Sequence, residues 1–291
     1  MEKIEEQIRV SKELAKMTLM HDILMTRVFN KDKALVQYVL SIILNRKDLT
    51  VLETEVQKEL FTNREGKSIR LDIYAKDNEN TYYDIEIQRI QDNFSFKRMY
   101  YYQSIIAANT LHPGDDYNKL PKTILIFILG YDHFKDGLPY HRFTIHDDIS
   151  NKILNETTEW YILNQKYVDT TTDFGKLMHD LGCPKPNEMF LPPIKDRVEY
   201  YKEGAMSMSV KDDIREMFKE EIEQAREEGK KEGIEEGIKL GEELGFKNGK
   251  EEGALNNRKE TVLKLLKKGY SLEKIADLLD IPLEEVKAIK E

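Results

Sequence analysis

Two short runs carry the side chains with the clearest potential for chemistry. One reads Arg70-Leu71-Asp72-Ile73-Tyr74, the other Asp84-Ile85-Glu86-Ile87-Gln88. Side chains alternate across a strand, so Asp84, Glu86 and Gln88 are expected on one face, and Arg70, Asp72 and Tyr74 likewise share one. Asp77-Asn78-Glu79-Asn80 between the runs has the composition of a turn. A hairpin closed there would set Asp72 against Glu86. Two carboxylates so placed repel unless a divalent cation lies between them, and hard oxygen ligands suit Mg²⁺ or Mn²⁺. Such an ion polarises a phosphate oxygen and makes a nucleophile of bound water at neutral pH. A half-exposed strand shows the same alternation with no chemistry attached. What such a strand does not explain is a polar stripe directly before a basic, aromatic helix, Phe94 to Leu111.

The elements that must hold these residues follow from periodicity. Residues 1–48 carry apolar side chains at three- and four-residue spacings and read as helical. Residues 51–61 alternate as a strand, and the two acidic runs make the next two. Residues 94–111 read as a helix closed by His112-Pro113-Gly114. Lys122 to Gly130 is a continuous apolar run, the mark of a strand buried on both faces. Two shorter strands are expected at Tyr140–His146 and Glu159–Asn164. Helix, three strands, helix and buried strand permit a parallel crossover, which predicts an α/β class with a mixed sheet and helices on both faces.

Composition narrows the classes further. The chain has 291 residues, 34% charged and 40% hydrophobic, with a net charge of −9. No stretch approaches the ~20 apolar residues of a membrane span, and the charged amino terminus lacks the apolar run of a signal peptide. A cytoplasmic protein without membrane association is expected. The single Cys183 rules out an intrachain disulfide or a thiolate metal cluster. No histidine pair has zinc-ligand spacing, and no G-x-S-x-G nucleophile motif occurs. The acidity is concentrated: residues 196–252 hold eleven Lys/Arg against eighteen Asp/Glu, so the region of the acidic runs is close to neutral.

The chain from Arg70 to Gln88, followed by Phe96-Lys97-Arg98-Met99-Tyr100-Tyr101-Tyr102-Gln103-Ser104, resembles the PD-(D/E)XK family of transposases and recombination-promoting nucleases (Rpn). Leu19 to Leu44 is similar to that family's opening helical segment. The resemblance spans about residues 18–130 and extends loosely to 190. It implies a restriction-endonuclease-like α/β/α core, hydrolysis of DNA and a need for Mg²⁺ or Mn²⁺. Asp72 then takes the metal-binding aspartate position and Glu86 the acidic position of the second half. Gln88 stands where the wider superfamily has lysine. It can orient water by hydrogen bonds but cannot carry charge. Arg98, with Lys97, stands where it would restore a positive charge at the scissile phosphate. Asp22 matches the opening segment as a third metal ligand, with Glu55 as the alternative. Of the three tyrosines, at least one is expected in the core and another is free to stack on a base or meet a phosphate. The alternative to an active endonuclease is a catalytically weak or inactive nuclease-fold protein that binds DNA or protein as an oligomer; a regulator reading DNA through its carboxy-terminal helices is a third.

After Asp196 the texture changes. Gly229, Gly233, Gly237, Gly241, Gly245, Gly249 and Gly253 recur every four residues. Interior glycine costs a helix about 1 kcal/mol each relative to alanine, and Glu–Lys pairs at the same spacing return only about 0.2–0.5 kcal/mol. A stripe without side chains permits close approach of another helix, so a homo-oligomer through this segment is expected. A solvated charged linker is the other reading. Three short helical patterns follow, from Arg258, Ser271 and Pro282, and resemble a small helix-turn-helix. Glu284 and Glu285 at the start of its last helix argue against DNA reading there. The expected division is 1–195 nuclease-like domain, 196–255 glycine-spaced helix and 256–291 small helical unit.

Overall fold

The computed structural model describes residues 2–61, 67–91 and 94–290. Three helices open the chain, α1 (Glu2–Lys16), α2 (Asp22–Phe29) and α3 (Lys33–Leu44). Strands β1 (Val51–Leu60), β2 (Ile69–Asp77) and β3 (Tyr82–Gln88) precede α4 (Phe96–Ala108). Then come β4 (Thr123–Leu129), β5 (Tyr140–Asp147), β6 (Lys152–Asn164), α5 (Asp173–Gly182) and α6 (Pro192–Lys202). The chain ends in α7 (Ser207–Lys267), α8 (Leu272–Leu279) and α9 (Leu283–Lys290).

The strands form one mixed sheet of six, in the order β1-β2-β3-β4-β6-β5. β1, β2 and β3 are an antiparallel meander, β3 and β4 are parallel through the α4 crossover, and β4 and β6 are parallel with β5 antiparallel at the edge. The reason for the central strand is plain: every residue of Thr123-Ile124-Leu125-Ile126-Phe127-Ile128-Leu129 is buried. Its odd and even side chains feed two cores. Ile124, Ile126 and Ile128 pack with α1, α2, α3, α5 and α6, while Leu125, Phe127 and Leu129 pack beneath Met99, Ile105 and Ile106 of α4. This is the restriction-endonuclease-like α/β/α arrangement that the resemblance implied.

The turn is built by Asp77 itself. Its buried carboxylate accepts from the backbone N–H of Glu79 and Thr81 and from the Tyr83 hydroxyl, and Asn80 adopts φ +62°, which asparagine tolerates. Ser95 caps α4 through the Arg98 N–H at 3.2 Å, which fixes where Arg98 starts on the helix.

Contacts divide the chain into Met1–Phe218 and Lys219–Glu291, not at the compositional change after residue 195. The physical reason is that α6 and the first turns of α7 belong to the first core. Val198, Val210 and Ile214 are fully buried in it, and Arg27 of α2 holds Asp213 of α7 with two bonds of 2.8 and 2.7 Å. The Lys202 ammonium is buried and donates to the carbonyls of Met17, Ala15 and Pro184, three partners that make its burial tolerable. The expected break at residue 255 also falls inside α7, because the pattern from Arg258 continues the same helix to Lys267. Val262, Ile275 and Val286 then form a small separate core, with Ser271 capping α8.

Candidate active site

The acidic residues meet where the hairpin stops being a regular ladder. β2 and β3 pair from Lys76↔Tyr82 to Ile73↔Ile85. One step further, the Asp72 N–H donates to Glu86 Oε1 at 3.1 Å, and the Ile87 N–H donates to Asp72 Oδ2 at 2.9 Å. Each carboxylate therefore replaces a backbone partner of the other strand. On the opposite side of β2, Gln57 of β1 adopts φ +54°, an uncommon conformation for its residue type. Its Nε2 donates to Asp22 Oδ1 at 2.8 Å and lies 3.4 Å from Asp72 Oδ1.

The expected alternation fails at this point. Leu71 packs on the α4 side and Ile73 on the other, so Arg70, Asp72 and Tyr74 do not form one row. Tyr74 sits opposite Asp84 and under the Lys58 ammonium, whereas Arg70 and Asp72 line two cavities together.

Arg98 closes the cluster from α4. Its guanidinium donates to Glu86 Oε2 at 2.6 Å, to Gln88 Oε1 at 3.0 Å and to the Tyr102 hydroxyl at 2.9 Å. Asp84 and Glu86 are 0% and 1% exposed, and neither Asp84 oxygen has a hydrogen-bond partner. Burial raises the pKa of all three carboxyls. Asp72 is raised by burial and by Asp22, against the Ile87 N–H and Arg98. Asp84 is raised well above the ordinary range by burial and then by Glu86 and Asp72. Glu86 is pushed up to about 8 by burial and by Asp72, against Arg98. Three carboxyls and one guanidinium leave a local excess of negative charge, which protons or a cation must offset.

Among the described residues, no three acidic, cysteine or imidazole side chains form a ready-made cage. The donor set nevertheless fits a hard divalent ion. Asp72 and Glu86 each use their oxygens for one protein hydrogen bond apiece, and a carboxylate oxygen has two lone pairs. A cation there would also favour ionisation of the buried Asp84 carboxyl behind them, whose pKa burial now holds up.

Of the other expected residues, Asp22 begins α2 and reaches the cluster through Gln57. Glu55 does not: it is exposed on β1, pairs with Lys58 at 3.5 Å and lies across from Tyr74. Gln88 is at the cluster through Arg98, and Lys97 lines the cavity beside it. Tyr101 and Tyr102 pack on the α4-side core, and Tyr100 is 67% exposed. Two cavities, of about 500 and 760 Å³, flank Asp72, Arg70 and Arg98. Their rims add Arg89, Lys67 and Lys97, a basic border around an acidic centre. His21 also lines the first cavity, with its pKa lowered by burial and by Arg89.

Sequence reasoning missed three participants. Gln57 had no signal, since its role depends on a left-handed backbone. Asp84 was visible in the polar stripe, but its burial without a partner was not. Tyr102 was one of three adjacent tyrosines, and only the α4 phase selects it.

Removal of the Arg98 charge tests how much the cluster depends on it. At pH 9, above the value of about 8 to which Glu86 is raised, Arg98→Ala leaves a buried carboxylate without its cation, and we expect about 2–3 kcal/mol of lost stability by urea denaturation, below the ~3–5 kcal/mol of a fully buried pair because the Arg98 side chain is 28% exposed. Arg98→Lys keeps the charge without the fork and should lose less. A cost within error of zero for Arg98→Ala contradicts the ion pair.

A family model described as PD-(D/E)XK nuclease family transposase matches residues 20–178. No curated protein and no solved structure matches the chain.

Proposed function

The chain belongs to the PD-(D/E)XK nuclease family transposases, and from that premise we propose that it is a divalent-metal-dependent DNA endonuclease with Asp72 and Glu86 at its centre. The observation that carries the reading is the exchange between Asp72 and Glu86, in which each carboxylate accepts a backbone N–H from the other's strand. An ordinary surface hairpin continues its ladder at that point.

Mg²⁺ or Mn²⁺ held there would polarise the scissile phosphate and lower the pKa of water. The remaining roles fall to side chains. Asp72 is aimed by the Ile87 N–H, and Glu86 is anchored between the Asp72 N–H and Arg98. Asp22 is the third acidic group, tied in through Gln57. Gln88 spends its carbonyl on Arg98, which leaves its amide N–H groups to orient water or phosphate. Arg98 holds a fixed positive charge where the superfamily's lysine is absent, suited to charge that develops on phosphate. Arg70, Arg89, Lys67 and Lys97 border the cavities and would hold the DNA backbone, which positions the duplex without reading its sequence.

The test is incubation of supercoiled plasmid with the purified chain and Mg²⁺ or Mn²⁺. Conversion to open-circular or linear DNA, blocked by EDTA, is expected. Plasmid that stays supercoiled favours the alternative, a nuclease-fold module that binds without cutting. A role in recombination or transposition, and a cytoplasmic location, accompany the nuclease reading as proposals. No described helix is long and apolar enough to cross a membrane.

We also propose a homo-oligomer through α7. Its glycines from Gly229 to Gly253 face open space, with nothing within 4 Å of an added Cβ. Ile234, Ile238, Leu240, Leu244 and Phe246 beside them are all more than half exposed. A four-residue period exceeds 3.6, so a partner following the stripe winds right-handed. Gly237→Leu with Gly241→Leu meets no steric obstacle within the chain but blocks close helix approach. Sedimentation should show the full chain as an oligomer and this variant as a monomer; equal species for both contradict the stripe as the interface.

A further inference from the structure

The contact between Asp72 and Glu86 extends one strand further, to Gln57 of β1. β1 and β2 pair Val56 with Ile73 and Lys58 with Leu71, which sets Gln57 opposite Asp72 in the register. β2 and β3 pair Ile73 with Ile85, which sets Asp72 opposite Glu86. Gln57, Asp72 and Glu86 therefore make one row across three strands. At Gln57 the backbone turns left-handed, with φ +54°. Strain of that kind is retained where it aims a side chain at a functional position.

The carboxamide stands where an ion belongs. Its Nε2 donates to Asp22 Oδ1 at 2.8 Å and lies 3.4 Å from Asp72 Oδ1. One amide nitrogen thus sits between carboxylates of two elements, α2 and β2, and both carboxylates line the same cavity. Adjacent oxygens in an octahedral Mg²⁺ shell, each at roughly 2.0–2.1 Å from the ion, stand about 2.9 Å apart. Nε2 keeps nearly that spacing from Asp22 Oδ1. The other end of the amide is unused: Oε1 is buried and has no hydrogen-bond partner among the described residues. A buried acceptor without a partner carries a penalty that a cation would remove.

The two ends of the amide suit two states. With no ion bound, the N–H group is the end that two carboxylates accept, and the oxygen would be repelled there. With an ion bound, the oxygen is the end that serves, as a neutral hard ligand beside two charged ones. A turn about the last side-chain torsion, which is broad and roughly two-fold for glutamine, exchanges them without moving the backbone.

We infer that Gln57 is a ligand of the divalent ion: its amide nitrogen holds Asp22 to Asp72 while no ion is bound, and its oxygen turns in to bind Mg²⁺ or Mn²⁺ between them. The inference rests on the metal-dependent reading above and adds a neutral ligand from β1 to the acidic ones.

Calorimetric titration of the full chain with Mn²⁺, without DNA, tests this with no cutting involved. Asp72→Asn supplies the background, so that ions held loosely along the acidic α7 are subtracted. Gln57→Met keeps the length of the side chain and lacks its oxygen and nitrogen. Its Asp72-dependent Mn²⁺ binding should be about tenfold weaker than that of the wild type. Gln57→Glu, which offers an oxygen with added charge, should bind at least as tightly as the wild type. A purely structural glutamine would change the metal-free melt of Gln57→Met and leave its Mn²⁺ affinity equal to the wild type, which overturns the inference. Tighter binding by Gln57→Met also overturns it, since the glutamine would then only obstruct the ion. If Gln57→Met does not fold, Gln57→Glu decides, and weaker binding than the wild type overturns the inference. Wild type without Asp72-dependent binding overturns it together with the metal reading. Plasmid nicking is scored separately. Nicking with Mn²⁺ affinity indifferent to Gln57 removes the ligand alone, and Gln57-dependent affinity without nicking removes the nuclease reading alone.

Discussion

Asp72→Asn is expected to reduce Mg²⁺-dependent plasmid nicking by on the order of 10³-fold while the protein remains folded. The substitution keeps the shape, and the new amide oxygen can still accept the Ile87 N–H that Asp72 Oδ2 accepts at 2.9 Å. What it removes is one negative charge from the pair that would hold the ion. Ligand charge dominates the binding of hard divalent ions, and their Lewis-acid contribution amounts to several kcal/mol, or a factor of ten for each 1.4 kcal/mol. Raised protein or Mg²⁺ concentration should recover part of the loss if the defect is in ion affinity. The thermal melt of the metal-free variant should be equal to or above that of the wild type, since burial penalises the Asp72 charge. Nicking by Asp72→Asn at the wild-type rate would mean that the hydrolysis occurs elsewhere, or that it comes from a contaminant.

The second large effect is on stability, and its sign follows from Glu86. Folding raises its pKa from 4.5 to about 8. Between those values the unfolded chain has released a proton that the folded chain keeps, so the stability present below pH 4.5 is lost as pH rises toward 8. Asp84 and Asp72, also raised, act in the same direction. Each tenfold gain in proton affinity on folding corresponds to about 1.4 kcal/mol, so the loss is of the order of several kcal/mol. For a protein of this size that is roughly 10 °C in melting temperature. Metal-free wild type should therefore melt progressively lower from pH 5 to pH 8. Glu86→Gln, neutral at every pH and still able to accept from Arg98, should flatten much of that slope. Mg²⁺ should raise the wild-type curve most at pH 8 and the variant curve little, because it binds the ionised carboxylates. Glu159 runs the other way: Arg142 and Lys122 overcome its burial and lower its pKa to about 2, so its contribution is lost only as pH falls below 4.5 toward 2. The readout is accordingly the difference between wild type and variant. Parallel curves for the two would show that Glu86 is ionised at neutral pH without penalty, contrary to its burial.

Both predictions centre on residues that the sequence alone makes legible. Asp72 and Glu86 are separated by one turn, and a short loop leaves few ways to pair two strands. Arg98 was legible as a cation close after the strand, but its bonds to Glu86, Gln88 and Tyr102 were not. The choice of Glu55 as alternative ligand shows the limit. Glu55 faces Lys58 and solvent, and which side of β1 points inward depends on how that edge strand docks. The boundary after residue 195 misplaced α6 and the start of α7, since a charged helix reads as separate when only composition is weighed. Val198, Val210 and Ile214 are spaced too sparsely among charges to announce a buried face.

The sequence alone determined the kinds of element and the chemistry available. Strict alternation marked the hairpin, an unbroken apolar run marked β4, and the order of acidic, amide and basic residues marked the family. These are local properties, set by backbone period and side-chain type. The tertiary structure alone decided the break in alternation at Asp72 and the left-handed Gln57 that links it to Asp22. It also decided that Asp84 is sealed under α4 with no partner. Desolvation and charge coupling come from whatever element happens to lie overhead, often far away in sequence, and no local pattern encodes them.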